Sequence, residues 1–212
     1  MDREKASERA VIEIGLNAKP FNLTLPAADA TLAAVSDDYL EDRGLDPKVA
    51  EANFWYPSSE AGDNRPRIVI PANATGPNIY WQARAIDSDE EPRYQSPSAP
   101  RGDACIIAWP NPVGHPHVVI VEGPMDALAA AMAGYVGVAT MGSSTESQLD
   151  YITKCFPKGL AIVVMDLDYP KLMLDVVYGL VRREWKCRVR SPYPAKDLAG
   201  MASSRRIRFL EE

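Results

Sequence analysis

The feature that most constrains this chain is the alternation in its second half, where short and almost wholly apolar runs are separated by segments of helical period. HVVIVEG precedes PMDALAAAMAGY, VGVATMG precedes STESQLDYITKCF, GLAIVVMDLD precedes YPKLMLDVVYGLVRREW, and KCRVRSPY closes the series. Strands that are apolar on both faces and alternate with helices predict a parallel sheet covered by helices on both sides. Ser143 and Glu146 are spaced to open the second of these helices as a capping box.

The first half reads differently. Residues 1–35 form a leader arm without strong periodicity. From Ser36, SDDYLEDRGLDPKVAEANFWY predicts short helices, with Ser36 as N-cap and Gly44 as a stop. RIVIPA and NIYWQARAID, separated by an Asn/Thr/Gly/Pro turn, predict an antiparallel strand pair. EPRYQSPSAPRGD reads as a loop, CIIAWP as a further short strand and NPVGHP as a connector. The expected organisation is a leader over 1–35, a smaller mixed α+β subdomain over 36–114 and an α/β domain over 115–212.

Composition narrows the function classes. With 212 residues, 46% of them hydrophobic, the chain can bury a substantial core. No apolar run approaches the ~20 residues that span a bilayer, and MDREKASERA carries charges where a signal peptide has its apolar core. The expected location is therefore the cytoplasm, or the host cytoplasm for a viral protein, with no membrane partner. Cys105, Cys155 and Cys187 are far apart and there are only two histidines, so no local zinc module and no disulfide are expected. A net charge of −6 argues against coating nucleic acid by bulk electrostatics and for local contacts instead.

Acids that close apolar strands lie where open α/β sheets place their functional crevice. Glu122 ends HVVIVE, followed by Gly123 for a sharp turn and Pro124 to start the helix. Asp166 and Asp168 close GLAIVVMDLD at i and i+2, so on an extended strand both carboxylates share a face. Convergent carboxylates suit hard cations such as Mg²⁺ or Mn²⁺, and Glu122 fits either a ligand or a general acid/base role. Asp126 sits in the first helical turn, where the helix dipole favours an acid whatever the function.

The strings VIVEGPMDALAAAMAG, VATMGSS, MDLD and AKDLAGM resemble the successive motifs of the Toprim domain of primases, topoisomerases and certain nucleases. The resemblance covers nearly the whole second half. It implies a catalytic Glu122, metal-binding Asp166 and Asp168, and further acidic positions at Asp126 and Asp197 around what are expected to be two Mg²⁺ or Mn²⁺ ions, with no zinc. In the first half, YLEDRGL, the strand pair and EPRYQSPSAP resemble the N-terminal subdomain of DnaG-type primase cores, phage primases included. Arg84 falls at the family's arginine position, and Arg93 with Tyr94 replaces its lysine and tyrosine.

Guanidinium forks suit phosphates, so Arg84, Arg93, Arg67 and Arg101, with Tyr94, are the expected nucleotide or DNA contacts; Arg65 and Trp81 are weaker candidates. The implied function is RNA primer synthesis on single-stranded DNA from ribonucleoside triphosphates, with a separate zinc-module protein or replicative helicase as partner. A metal-dependent Toprim nuclease and a non-catalytic replisome or nucleic-acid-binding module are the alternatives.

Overall fold

The structure is a computed structural model that describes residues 24–61, 64–73, 80–87, 89–110, 116–156, 159–165 and 170–212. Asp29 caps a short 3₁₀ turn, Ala30–Leu32, by accepting from the backbone N–H and hydroxyl of Thr31 at 3.1 and 2.6 Å. The turn runs straight into helix α1, Ala33–Asp42. Ser36 is therefore a buried residue inside α1 rather than its N-cap, because Asp29 starts the helical path earlier. Gly44 ends the helix as expected, with φ +64°. Helix α2, Pro47–Ala52, is capped by Asp46, whose carboxylate accepts from the Lys48 N–H at 2.8 Å.

The first sheet is antiparallel, in the order β1 (Tyr56–Ser58), β2 (Arg67–Ala72), β3 (Tyr80–Ala85), β4 (Tyr94–Gln95). The expected β2–β3 pair is present. Strand β4 falls in the segment expected to be loop; its two residues pair with Ala83 and Arg84 and are too few to show an alternation in sequence.

The second sheet holds β5 (Ile106–Ala108), β6 (Val118–Val121), β7 (Val136–Ala139), β8 (Leu160–Val164) and β9 (Lys186–Arg190) in the order β5-β7-β6-β8-β9. The last four are parallel, as the alternation predicts, and β5 is an antiparallel edge on β7. Strand β5, read from sequence with the first half, thus pairs into the second sheet. A bridge between Asn73 and Cys105 joins its approach to the end of β2.

Helices α3 (Pro124–Met132) and α6 (Ser203–Glu211) supply one face of this sheet, and α4 (Glu146–Cys155) and α5 (Pro170–Val181) the other. Alternate strand residues serve the two sides. Val119, Val121, Ile162 and Val164 pack with Leu128 and Leu210, while Val118, Ile120, Ala161 and Val163 pack with Leu149 and Leu180. The α3-side cluster also takes in Leu40, Leu45, Trp55, Ile68 and Ile70 from the first half, so one core runs through both. Alanine-rich α3 is enclosed between the halves. It approaches β7 so closely that a Cβ on Gly137 would lie 2.1 Å from the Ala127 carbonyl oxygen.

Two local expectations change. Helix α4 is opened by Thr145 and Gln148, not Ser143 and Glu146: Thr145 Oγ1 accepts from the Gln148 N–H at 3.1 Å, and Gln148 Oε1 accepts from the Thr145 N–H at 2.9 Å. The preceding turn has φ +59° at Met141 and +96° at Gly142, and this turn delays the helix by two residues. Helix α6 had no counterpart in the sequence reading. Among the described residues no helix is long and apolar enough to cross a membrane.

Candidate active site at the carboxyl edge of the parallel sheet

Ala139, Val121, Val164 and Arg190 end the four parallel strands along one edge. Glu122 leaves the central strand β6 there, half-buried, with its Oε2 shielded from solvent. Its backbone carbonyl accepts from the Met141 N–H at 2.9 Å, and the Val121 carbonyl accepts from the Thr140 N–H at 3.1 Å. The β7 loop is thereby held against the acid.

Arg101 fixes the far side of that loop by donating to the carbonyls of Met141 and Ser143. Gln148 ties the loop's root inward, donating to Ala104 and Thr140 carbonyls at 2.6 and 3.1 Å. The Arg101 fork, expected to meet nucleotide, is thus engaged within the fold as a brace for the loop beside Glu122.

Asp126, in the first turn of α3, is buried and curls back toward the strand end, its Oδ2 only 3.4 Å from where a Cβ on Gly123 would stand. Its Oδ1 accepts from the Ala199 N–H at 2.8 Å, which docks the AKDLAGM segment on the helix start. Asp197 closes that segment on itself by accepting from the Gly200 N–H at 2.6 Å.

Arg206, on α6, is buried and gathers the carbonyls of Leu198, Met201 and Ala199 at 3.2, 2.9 and 2.7 Å, and of Gly44 at 3.1 Å. Burial lowers its pKa, opposed by the charges of Asp126 and Asp197. Arg206 is a positioning residue that the sequence reading missed; SSRRIRF presents three similar arginines, and only the fold selects the middle one.

Asp166 and Asp168 lie outside the described residues, as do residues 74–79 of the turn between β2 and β3. Among the described residues no group of three His, Cys, Asp or Glu side chains converges as a metal cage. The donors at the strand edge, Glu122 and Asp126, are carboxylates, which match a hard cation that keeps waters and phosphate oxygens among its ligands.

The first half contributes a cluster around Arg84. This guanidinium is buried, donates from Nε to the Tyr39 hydroxyl at 2.6 Å and lies 4.8 Å from the Tyr94 ring centroid and 5.9 Å from that of Tyr39. Arg43 covers Tyr39 at 4.9 Å. Burial pushes the Tyr94 phenol well above its usual pKa; Arg84 opposes this, and the negative field of Asp126 adds to it. The charge of Asp126 thus acts on Tyr94 although the two are far apart in sequence. Tyr39 was not singled out from sequence, although its i, i+4 spacing to Arg43 is a readable signal.

The other expected contacts divide by burial. Arg93 and Arg65 are exposed. Arg67 is fully buried, ion-paired with Glu90 and bonded to the Ala83 and Pro92 carbonyls at 3.3 and 3.0 Å, so it acts as an interior brace of the first sheet. Trp81 is half-buried, its indole N–H donating to the Thr24 carbonyl at 3.2 Å.

This pairing of an antiparallel sheet with a mainly parallel one is similar in fold to DnaG primase catalytic cores. The RNA polymerase domain of Mycobacterium tuberculosis primase DnaG superposes with a TM-score of 0.63 at 16% identity, over 100% of this chain and 84% of that one. A DnaG catalytic core gives 0.63 at 17% identity, over 85% and 71%. The Aquifex aeolicus primase, comprising zinc-binding and RNA polymerase domains, gives 0.61 at 20% identity, over 96% of this chain and 66% of that one. No protein-family model and no curated protein matches the sequence. The likeness is one of fold.

Proposed function

We propose that this chain is a primase catalytic core that joins ribonucleotides on a single-stranded DNA template. The observation that supports the reading is a primase-like fold that carries Glu122 and Asp126 at the carboxyl edge of its parallel sheet and the stacked Arg84–Tyr94 pair in its first half. Glu122, Asp166 and Asp168 are the proposed holders of two Mg²⁺ or Mn²⁺ ions, with Asp126 and Asp197 in support. The metal supplies charge neutralisation at the phosphoryl oxygens when bound.

The chain's own residues do the rest. Glu122 is held by the braced β7 loop and presents its carboxylate at the strand end. Asp126 orders the 197–201 segment by its bond to Ala199. Arg84 offers a stacked, preoriented cation to a nucleotide phosphate, and exposed Arg93 extends that positive edge into solvent. In the reaction the primer 3′ oxygen bonds to the α-phosphorus, the α–β phosphoanhydride breaks and pyrophosphate leaves. The hydroxyl proton passes to a carboxylate or water at the site. The proposed partners are template, ribonucleoside triphosphates and a separate zinc-module protein or replicative helicase, and the proposed location is the cytoplasm.

The test is incubation with single-stranded DNA, four ribonucleotides and Mg²⁺ or Mn²⁺, beside Glu122→Gln and Asp166→Asn, with labelled products resolved on a denaturing gel. Short oligoribonucleotides that disappear in both variants are expected. Shortened DNA without RNA product would replace the primase by a nuclease. Oligonucleotide binding with neither chemistry, even with a zinc-module partner or helicase added, would leave a binding module.

A further inference from the structure

Arg190 is the last residue of β9 and pairs in register with Val164, the last residue of β8. Paired residues share a sheet face, and Val164 belongs to the cluster on the α3 side. Arg190 therefore stands on the side that carries Asp126, two strands from β6. At the usual strand spacing this is about 10 Å from the line of Glu122. Arg188, two residues earlier on the same face, reaches the α6 end and donates to the Glu211 carbonyl at 3.3 Å.

The guanidinium of Arg190 differs from the other shielded arginines. Arg67 and Arg101 each leave only Nε without a hydrogen-bond partner, and both spend their Nη atoms on protein oxygens. Arg190 is half-buried as a residue, but two such nitrogens, Nε and Nη2, are shielded and have no hydrogen-bond partner among the described residues. These are the adjacent donors of the side-on fork that grips an oxyanion bidentately. A shielded cation with that fork unmet is costly to the folded protein unless an acceptor arrives.

We infer that Arg190 is a phosphate-binding residue whose Nε and Nη2 receive a phosphate oxyanion at the carboxyl edge of the sheet. The ligand's identity rests on the proposed primase reading: the oxyanion belongs to the triphosphate of an incoming ribonucleotide or to the template backbone.

The test measures binding rather than turnover. Wild type, Arg190→Met, Arg190→Lys and the same-strand control Arg188→Met are titrated with inorganic tripolyphosphate, Mg·ATP and a labelled oligodeoxynucleotide, and their Tm values are recorded. Arg190→Met is expected to lose affinity by about tenfold or more, with Arg190→Lys between it and wild type because it keeps the charge but not the fork, and with Tm unchanged or raised. Loss toward tripolyphosphate and ATP assigns the nucleotide; loss confined to the oligonucleotide assigns the template.

Unchanged affinity for all three ligands, or a Tm that falls in Arg190→Met, overturns the inference and makes Arg190 a structural cation. The two readings fail separately. A wild type that makes no RNA while Arg190→Met still loses tripolyphosphate binding sinks the primase reading alone. A wild type that makes primers while Arg190→Met binds phosphate normally sinks this one alone.

Discussion

At the scale of single residues, the largest consequences come from places with no room or no alternative partner. Gly137 faces the backbone of Ala127, whose carbonyl oxygen, carbonyl carbon and Cα would lie 2.1 to 2.7 Å from an added Cβ. Backbone cannot swing aside as a side chain does, so Gly137→Ala is expected to cost about 3 kcal/mol, read by urea denaturation. Arg67 and Glu90 form a buried pair, and Arg67→Met strands the carboxylate at an expected cost of about 3–5 kcal/mol. Converting Glu90 to Leu as well should recover much of that loss.

The cysteines separate by burial. The Cys105 thiol is pushed up to about 12, chiefly by burial, so it stays protonated and inert at pH 8, whereas Cys155 is exposed. A thiol reagent at pH 8 should modify Cys155 quickly and Cys105 only on unfolding. None of these contrasts shows in the sequence, where Arg67 and Arg93, or Cys105 and Cys155, are the same letters. What distinguishes them is how much of each side chain the fold encloses.

At the scale of elements, the longer strands and helices that bury an apolar face were readable, whereas β1, β4 and α6 were missed. β6, β7, β8, α3 and α4 are each long enough, and apolar enough on the buried side, for their period to stand out. β4 has two residues, and α6 is a basic helix anchored by Arg206 and Leu210 rather than by a continuous stripe. The start of α4 shows how a local rule can point two ways. Ser143 with Glu146 and Thr145 with Gln148 both satisfy the capping-box spacing, and the turn at Met141 and Gly142 decides for the second. Thr145→Ala should therefore destabilise by about 1 kcal/mol, whereas Ser143→Ala should stay within about 0.5 kcal/mol, both measured by chemical denaturation.

At the scale of the whole molecule, residues from three separated stretches, at Gly44, Asp126 and 198–206, are tied together. The segment that carries Asp197 is held between α3 and α6 by Asp126 on one side and Arg206 on the other, and Arg206 also binds Gly44 of the first half. Arg206→Ala is expected to cost about 3 kcal/mol and to speed hydrogen exchange at Leu198–Met201 beyond the rest of the sheet. Equal acceleration everywhere would mean that Arg206 stabilises the molecule without organising this segment.

The sequence alone determined the alternating order of strands and helices in the second half, the antiparallel pair in the first, and the place of Glu122 directly after β6. These are local or periodic properties, set by side-chain period and by the backbone needs of Gly and Pro. Only the tertiary structure decided that β5 crosses to the second sheet, that Arg67 and Arg101 are internal braces while Arg84 stacks on Tyr94 and bonds Tyr39, and that Arg190 ends β9 with Nε and Nη2 unmet among the described residues. Those outcomes depend on which surfaces exclude water together. That is a property of the packed chain, to which residues far apart in sequence contribute jointly.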